Sequence, residues 1–324
     1  MRHLCKIFLG FVCLVSCTEL KYNDLELSQG DVNQLTIVIE DALWNGEVGD
    51  SLRKKLAVAV NGLPQEEPLF NLIQRSNRDG DAVFCKNRNI FIVERSDERT
   101  FEITQDDFAK NQNVIYLSAE SINDIICLFE EKYDTVIKVV KDFEIKETQK
   151  KISISLLDYD KLEQKFGVRL NVPSDYRTVL EDSSFVWFKK DLQHGSYNLI
   201  VYQTPLHQYS SSAETIGGIV QYRDLVGSKY IHSQDNNIKD CMITEESYTP
   251  YFQAVYLSEK KTYITRGTWE FEKIFMSGPF INYTFQDTKN NRNLVVEGFA
   301  YAPSFSTRDI IHELEAIIRS IQFM

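Results

Sequence analysis

From Ser121 onward, Ile122, Ile125, Ile126, Phe129, Tyr133, Val136, Ile137, Val140 and Phe143 recur at three- or four-residue spacing for about six turns. A helix this long with one apolar face needs packing partners along its whole length, so it divides the chain into two parts that must each supply a core. Ahead of it, Leu35 to Ile39 reads as a strand, and Val48, Leu52, Leu56 and Ala59 form a helical stripe stopped at Asn61-Gly62. Residues 63–68 then run extended, because Pro64 and Pro68 bias their predecessors away from helix. Strands follow at 69–75, 89–94 and 113–118, giving a mixed α/β unit over residues 31–150.

The second part, 151–324, has a different rhythm. Leu156, Tyr159, Leu162 and Phe166 fit a helix ended by Gly167, although 152–157 also alternates like a strand. Strands at hairpin intervals are expected at 168–172, 176–180, 185–189 and 197–202. Ser211 and Glu214 make a capping box that opens a helix through Val226. Residues 251–257, 262–271, 280–285 and 294–301 read as an antiparallel meander, turning at Asn290 to Asn293. Ile310, Ile311, Leu314, Ile317, Ile318 and Ile321 mark a last helix, with His312 on its exposed side. The expected class is α+β: two mixed α/β domains joined by long helices, the second an antiparallel sheet covered by helices.

Location is encoded at the start. Arg2, His3 and Lys6 form a basic segment, Ile7 to Val15 an apolar one, and Leu14-Val15-Ser16-Cys17 has the aliphatic, small, cysteine order of a lipoprotein signal. Residues 1–16 are thus expected to be removed, Cys17 to carry acyl chains, and 17–30 to tether the body within about 20 Å of the membrane. Buried methylenes contribute about 0.8 kcal/mol each, so two or more chains hold a protein firmly. The chain carries a net charge of -11, and loss of the signal takes it to -13. That balance argues against nucleic acid and against electrostatic docking on anionic lipid. The address is therefore the cell envelope; the periplasmic side and the outer membrane over the inner are the expected placement, although Thr18 to Lys21 give no clear sorting signal.

Cys85, Cys127 and Cys241 remain after processing; Cys127 reads as a small buried hydrophobe, and a Cys85–Cys241 disulfide is left open. No catalytic template or metal-ligand spacing is present, so no cofactor or metal is expected. One candidate surface for a peptide or glycan sets Gln65 and Glu67 on the stiff proline segment beside Asp50 and Arg53, with Trp44 as an apolar platform, Arg88 as an anion contact and neighbouring Asn89 as a further candidate binding residue. Alanine at Gln65 and Glu67 is then expected to leave the fold intact. A second candidate is the stretch containing Arg266, Trp269 and Met276 to Phe280, with Trp269 on the buried face of its strand.

Leu43-Trp44-Asn45-Gly46, Val48 to Arg53, Gly62 to Pro68, Arg88-Asn89-Ile90, Arg266 to Glu270, Met276 to Phe280 and Glu297 to Pro303 resemble a Gram-negative envelope lipoprotein family called domain of unknown function 4837. The resemblance implies location and a shared fold, and brings no established activity. From Val168 the order of elements is similar to the Mog1/PsbP-like α+β fold. The functional expectation is a non-enzymatic, lipid-anchored module that binds or scaffolds another envelope component. The alternative is a hydrolase acting on cell-wall glycan or peptide through paired carboxylates.

Overall fold

The computed structural model describes residues 25–76, 86–207, 211–233 and 239–324. The signal segment, Cys17 and Cys85 lie outside them. In the first unit, β1 (Gln34–Ile39), β2 (Asn71–Arg75), β3 (Asn89–Arg95), β4 (Thr100–Gln105) and β5 (Asn113–Ala119) form one sheet ordered β2-β1-β3-β5-β4. All neighbours pair in parallel except β4 with β5. Helices α1 (Asp41–Trp44) and α2 (Glu47–Leu56) connect β1 to β2, and α3 (Ile122–Ile152) follows β5. Leu52 and Leu56 of α2 share a core with Ile125, Phe129, Val136 and Val140 of α3 and with Leu35, Ile37 and Phe91 of the sheet. Cys127 falls off that stripe and is exposed, against expectation. The backbones of Leu27 and Gln29 bridge Lys110 and Asn87, so the folded body begins before Gly30.

The second unit contains α4 (Lys161–Phe166), β6 (Val168–Arg169), β7 (Arg177–Glu181), β8 (Phe185–Leu192), β9 (Gly195–Pro205) and α5 (Ser212–Tyr230). It continues with β10 (Met242–Thr244), β11 (Tyr251–Leu257), β12 (Lys260–Phe271), β13 (Ser277–Asp287), β14 (Arg292–Tyr301), α6 (Thr307–Ile318) and β15 (Gln322–Phe323). An antiparallel sheet runs β10-β12-β13-β14-β9-β8-β7, with β11 also on β12. Alternation along β14 sends Leu294, Val296 and Ala300 to the core under α6, and Val295 and Phe299 to the opposite aromatic core. The expected helix through Leu156 is shorter. Ser155 and Leu157 are drawn into backbone bonds with Ser174 and Val172, and only α4 forms, closed by Gly167 at φ 63°. The strand expected over 168–172 is likewise cut to β6, which pairs with β15.

Helix α3 is the strut between the units: its N-terminal turns lie in the first core, while Ile145 and Ile152 lie in the second. Its polar side meets the α6 region across a part-buried joint, to which Asn33, just ahead of β1, adds a bond. Arg319 pairs with Asp142 at 2.8 Å, Gln149 donates to the Ala316 carbonyl at 3.0 Å, and Asn33 donates to Asp309 at 3.0 Å. His312 is buried, not exposed, because α6 is covered on one side by the sheet and on the other by α3; its Nε2 lies 3.0 Å from the Thr148 hydroxyl. Burial, with Lys141 nearby, lowers the His312 pKa to about 4. Burial opposes the Glu315 carboxylate, yet Arg266, Lys141 and the Tyr283 hydroxyl outweigh it and hold its pKa at about 2.

Both shifts have the same sign for stability. The unfolded chain takes up a proton at imidazole below about pH 6.5 and at carboxylate near 4.5, before the native groups do. Stability is therefore complete at pH 7 and declines from pH 6.5 downward as the native values are approached. Urea unfolding at pH 7, 5.5 and 4.5 should show a falling midpoint, and His312→Gln should flatten the part above pH 4.5. A midpoint that rises on acidification contradicts this account of the joint.

Candidate functional site

The segment after α2 crosses from the first unit onto the second. Gly62 adopts φ 82°, and a Cβ there would lie 2.8 Å from the Arg266 backbone, so the chain lies directly on β12. Glu67 then caps α6: its Oε1 accepts from the Thr307 amide at 2.7 Å, the Thr307 hydroxyl at 2.6 Å and the Arg308 amide at 3.2 Å. Burial raises its pKa, but these bonds and one from Ser306 outweigh that and lower it. Glu67 is thus committed to holding the units together. Glu67→Ala should cost about 1–2 kcal/mol in urea unfolding, whereas Gln65→Ala should be near neutral, within about 0.5 kcal/mol. Equal effects contradict the assignment, and Glu67, expected to be presented to a partner, is instead engaged by Ser306, Thr307 and Arg308.

Beside this segment the β12–β13 turn, residues 272–276, separates two cavities. Asp240 pins the turn by accepting from the Lys273 and Ile274 amides at 2.6 and 3.2 Å, and Phe271 N–H donates to the Met276 carbonyl at 3.0 Å. Ile274 and Met276 pack into the aromatic core, which leaves Phe275 fully exposed at the apex. On one side lies a groove of about 530 Å³ between Pro64 and Gln65, the strand ends at Glu270 and Gly278, and the Tyr301 to Thr307 connection. Phe305 on its rim is half exposed. On the other side lies a cavity of about 360 Å³ lined by Trp187, Trp269, Phe299, Ile231 and Asn198. Phe271, Ile274, Met276 and Tyr301 line both.

The smaller cavity's main polar groups are paired internally. Trp187 Nε1 donates to Asn198 Oδ1 at 3.0 Å, Asn198 Nδ2 to the Ser196 hydroxyl at 3.1 Å, and Trp269 Nε1 to the Ala300 carbonyl at 3.1 Å. Trp269 stands edge-on to Phe299 and Phe271, with centroids 5.8 and 5.7 Å away. The groove is acidic instead. Partial burial and the neighbouring Glu245, Glu272 and Glu246 raise the Glu270 pKa.

The residues singled out from sequence fall in separate places. Trp44, Asp50 and Arg53 satisfy one another: the Arg53 guanidinium stacks 4.6 Å from the Trp44 ring and donates to the Trp44 carbonyl at 3.1 Å and to Asp50 at 2.7 Å. Arg88 and Asn89 find their anion inside the protein, at Glu144, with Arg88 Nε 2.8 Å from it. Arg266 is held by Glu315 through two 3.0 Å bonds. Of the first candidate surface Gln65 alone lines the groove; of the second, Met276 to Pro279 line it as well, while Trp269 is buried as its alternation requires and lines the smaller cavity. Cys17 is outside the described residues. Sequence reasoning passed over Trp187, Asn198, Phe275 and Phe305. Phe275 and Phe305 carry no periodic signal, since both sit in irregular connections, whereas Trp187 sits mid-strand among apolar neighbours. Among the described residues no three His, Cys, Asp or Glu side chains gather to hold a metal, and no helix is long and apolar enough to cross a membrane.

Fold and site together define a two-unit α+β protein with a groove at the seam of the units and an aromatic pocket beside it within the second unit. The chain belongs to the family described as domain of unknown function (DUF4837), whose model matches residues 155–320; a second domain of unknown function (DUF8532) matches residues 28–153. Among solved structures, similarity is found to the Saccharomyces cerevisiae Ran-binding protein Mog1p, with 8% identity, a TM-score of 0.35, and coverage of 48% of this chain and 89% of that one. A mutant of protein Mog1 gives 8% identity and a TM-score of 0.33 over 48% of this chain and 90% of its own. No curated protein matches the sequence.

Proposed function

We propose that this protein is a lipid-anchored binding module of the cell envelope that engages another envelope component through the groove and pocket beside residues 272–276. The observation that carries the reading is the pair of adjoining cavities sharing Phe271, Ile274, Met276 and Tyr301, with Phe275 standing free between them. Large exposed aromatics beside a preformed apolar pocket are what a docking surface offers and what a self-contained core avoids. Attachment follows from the Leu14-Val15-Ser16-Cys17 pattern, with the acidic body facing the periplasm, from the outer membrane in preference to the inner. A glycan-cleaving hydrolase needs two carboxylates facing each other across a cleft. The groove's acidic residues, Glu270 and Glu272, both come from one strand end, which favours binding.

Cys17→Ser should leave the signal uncut or release the protein from the membrane fraction; normal processing with full membrane retention contradicts lipidation. In the intact anchored protein, Phe275→Ser combined with Phe305→Ser should abolish recovery of co-purifying envelope components without moving the unfolding midpoint. Unchanged recovery sinks the binding reading.

A further inference from the structure

The chemistry of the two cavities points to one class of ligand, and this step rests on the binding function proposed above. We infer that the site takes an extended, cationic peptide segment of an envelope protein: one large apolar side chain fills the pocket at Trp187 and Trp269, and flanking lysines or arginines lie along Glu270 and Glu272.

Two observations select this class. Most of the polar lining of the pocket at Trp187 and Trp269 is engaged internally: both indole N–H groups, the Asn198 amide, Lys189 with Asp191 at 2.9 Å, and the His232 ring with the Lys229 carbonyl at 3.2 Å. A sugar ring placed there would bury hydroxyls without partners, at about 1–3 kcal/mol each, whereas an apolar side chain loses nothing. A volume of about 360 Å³ holds one such group and leaves the peptide backbone outside. The groove next to it is the reverse. Glu270, Glu272, Glu245 and Glu246 form no ion pair among the described residues, although they lie close enough to raise the Glu270 pKa. Lys273, the basic residue of the turn, directs its ammonium to the Lys239 carbonyl. Two carboxylates against one lysine leave the groove's lining net negative, and beside an apolar receptacle that complements a ligand with positive charge next to its anchor. An anionic lipid headgroup would meet repulsion from the same carboxylates and from the chain's net charge of -11.

The test uses the full-length protein in detergent and follows tryptophan emission, which Trp187 and Trp269 report from inside the pocket. Three end-capped pentapeptides are compared at low salt: phenylalanine between two lysines, the same with glutamates for the lysines, and the same with serine for the phenylalanine. The first should bind about tenfold more tightly than either twin, and Glu270→Gln with Glu272→Gln should erase its advantage over the acidic one. Added salt should do the same. Equal affinities, tighter binding of the acidic peptide, or no binding by any peptide overturns the inference. If peptides fail while partner recovery still depends on Phe275 and Phe305, the ligand class falls and the binding function stands. If both fail, both fall.

Discussion

Replacing Arg223 by methionine will destabilise the protein by about 3–5 kcal/mol, because it strands a carboxylate inside the second core. Arg223 and Glu297 are 1% and 0% exposed and meet at 2.9 Å between α5 and β14. Arg223 also donates to Thr244 at 2.9 Å and lies 3.9 Å over the Phe280 ring, while Asn282 donates to the other Glu297 oxygen at 2.8 Å. Burial already raises the Glu297 pKa despite these partners. Without the guanidinium the carboxyl must either take up a proton or remain charged with one amide for company. The second change Glu297→Gln should therefore recover at least half of the loss, since a neutral amide can still bond to Asn282. Urea unfolding read through tryptophan emission measures both. A single-variant cost under about 1 kcal/mol would show that α5 is held by apolar packing alone. The consequence reaches the site, because α5 runs directly into Ile231 and His232 on the wall of the smaller cavity.

Glu144→Ala should have an effect of similar size, about 3–5 kcal/mol, at the other end of the molecule. Glu144 projects from α3 and accepts from Arg88 at 2.8 and 3.1 Å and from Asn89, all buried. Its removal leaves Arg88 with the Asp31 carbonyl at 2.9 Å and no counter-charge. Glu144→Gln keeps an acceptor in place and should cost clearly less. This pair fixes α3 to the first sheet at the point where the strut leaves for the second core, so Glu144→Ala should also raise protease susceptibility near residue 152. Equal unfolding midpoints for Glu144→Ala and wild type contradict the assignment.

What could be read from the sequence followed the strength of each periodic signal. The stripe from Ile122 to Phe143 defines α3, and Ser211 with Glu214 opens α5, the Ser211 hydroxyl accepting the Glu214 amide at 3.2 Å. The turn at Asn290 to Asn293 is present, with Asn291 in the left-handed region at φ 50°. Strand β4 escaped notice because Thr100 to Gln105 is largely exposed and carries little apolar alternation. His312 and Glu67 were misplaced for a common reason. Each faces a partner more than 150 positions away in the chain, at Thr148 and at the start of α6, and no local pattern reports such a meeting. The stretch Arg266 to Phe280 was legible as a strand pair, but not as one wall of a cavity completed by Trp187 and the residue 301–307 connection.

The most direct measurement is site-specific photo-crosslinking in the native envelope, with the crosslinking residue at Phe275 or, as control, at Tyr256 on β11, which is also exposed. The account predicts discrete adducts from position 275 that disappear when Glu270 and Glu272 are both changed to glutamine, and none of these adducts from position 256. Identical adducts from both positions, or none from position 275, would contradict the claim that the seam beside residues 272–276 is the binding site.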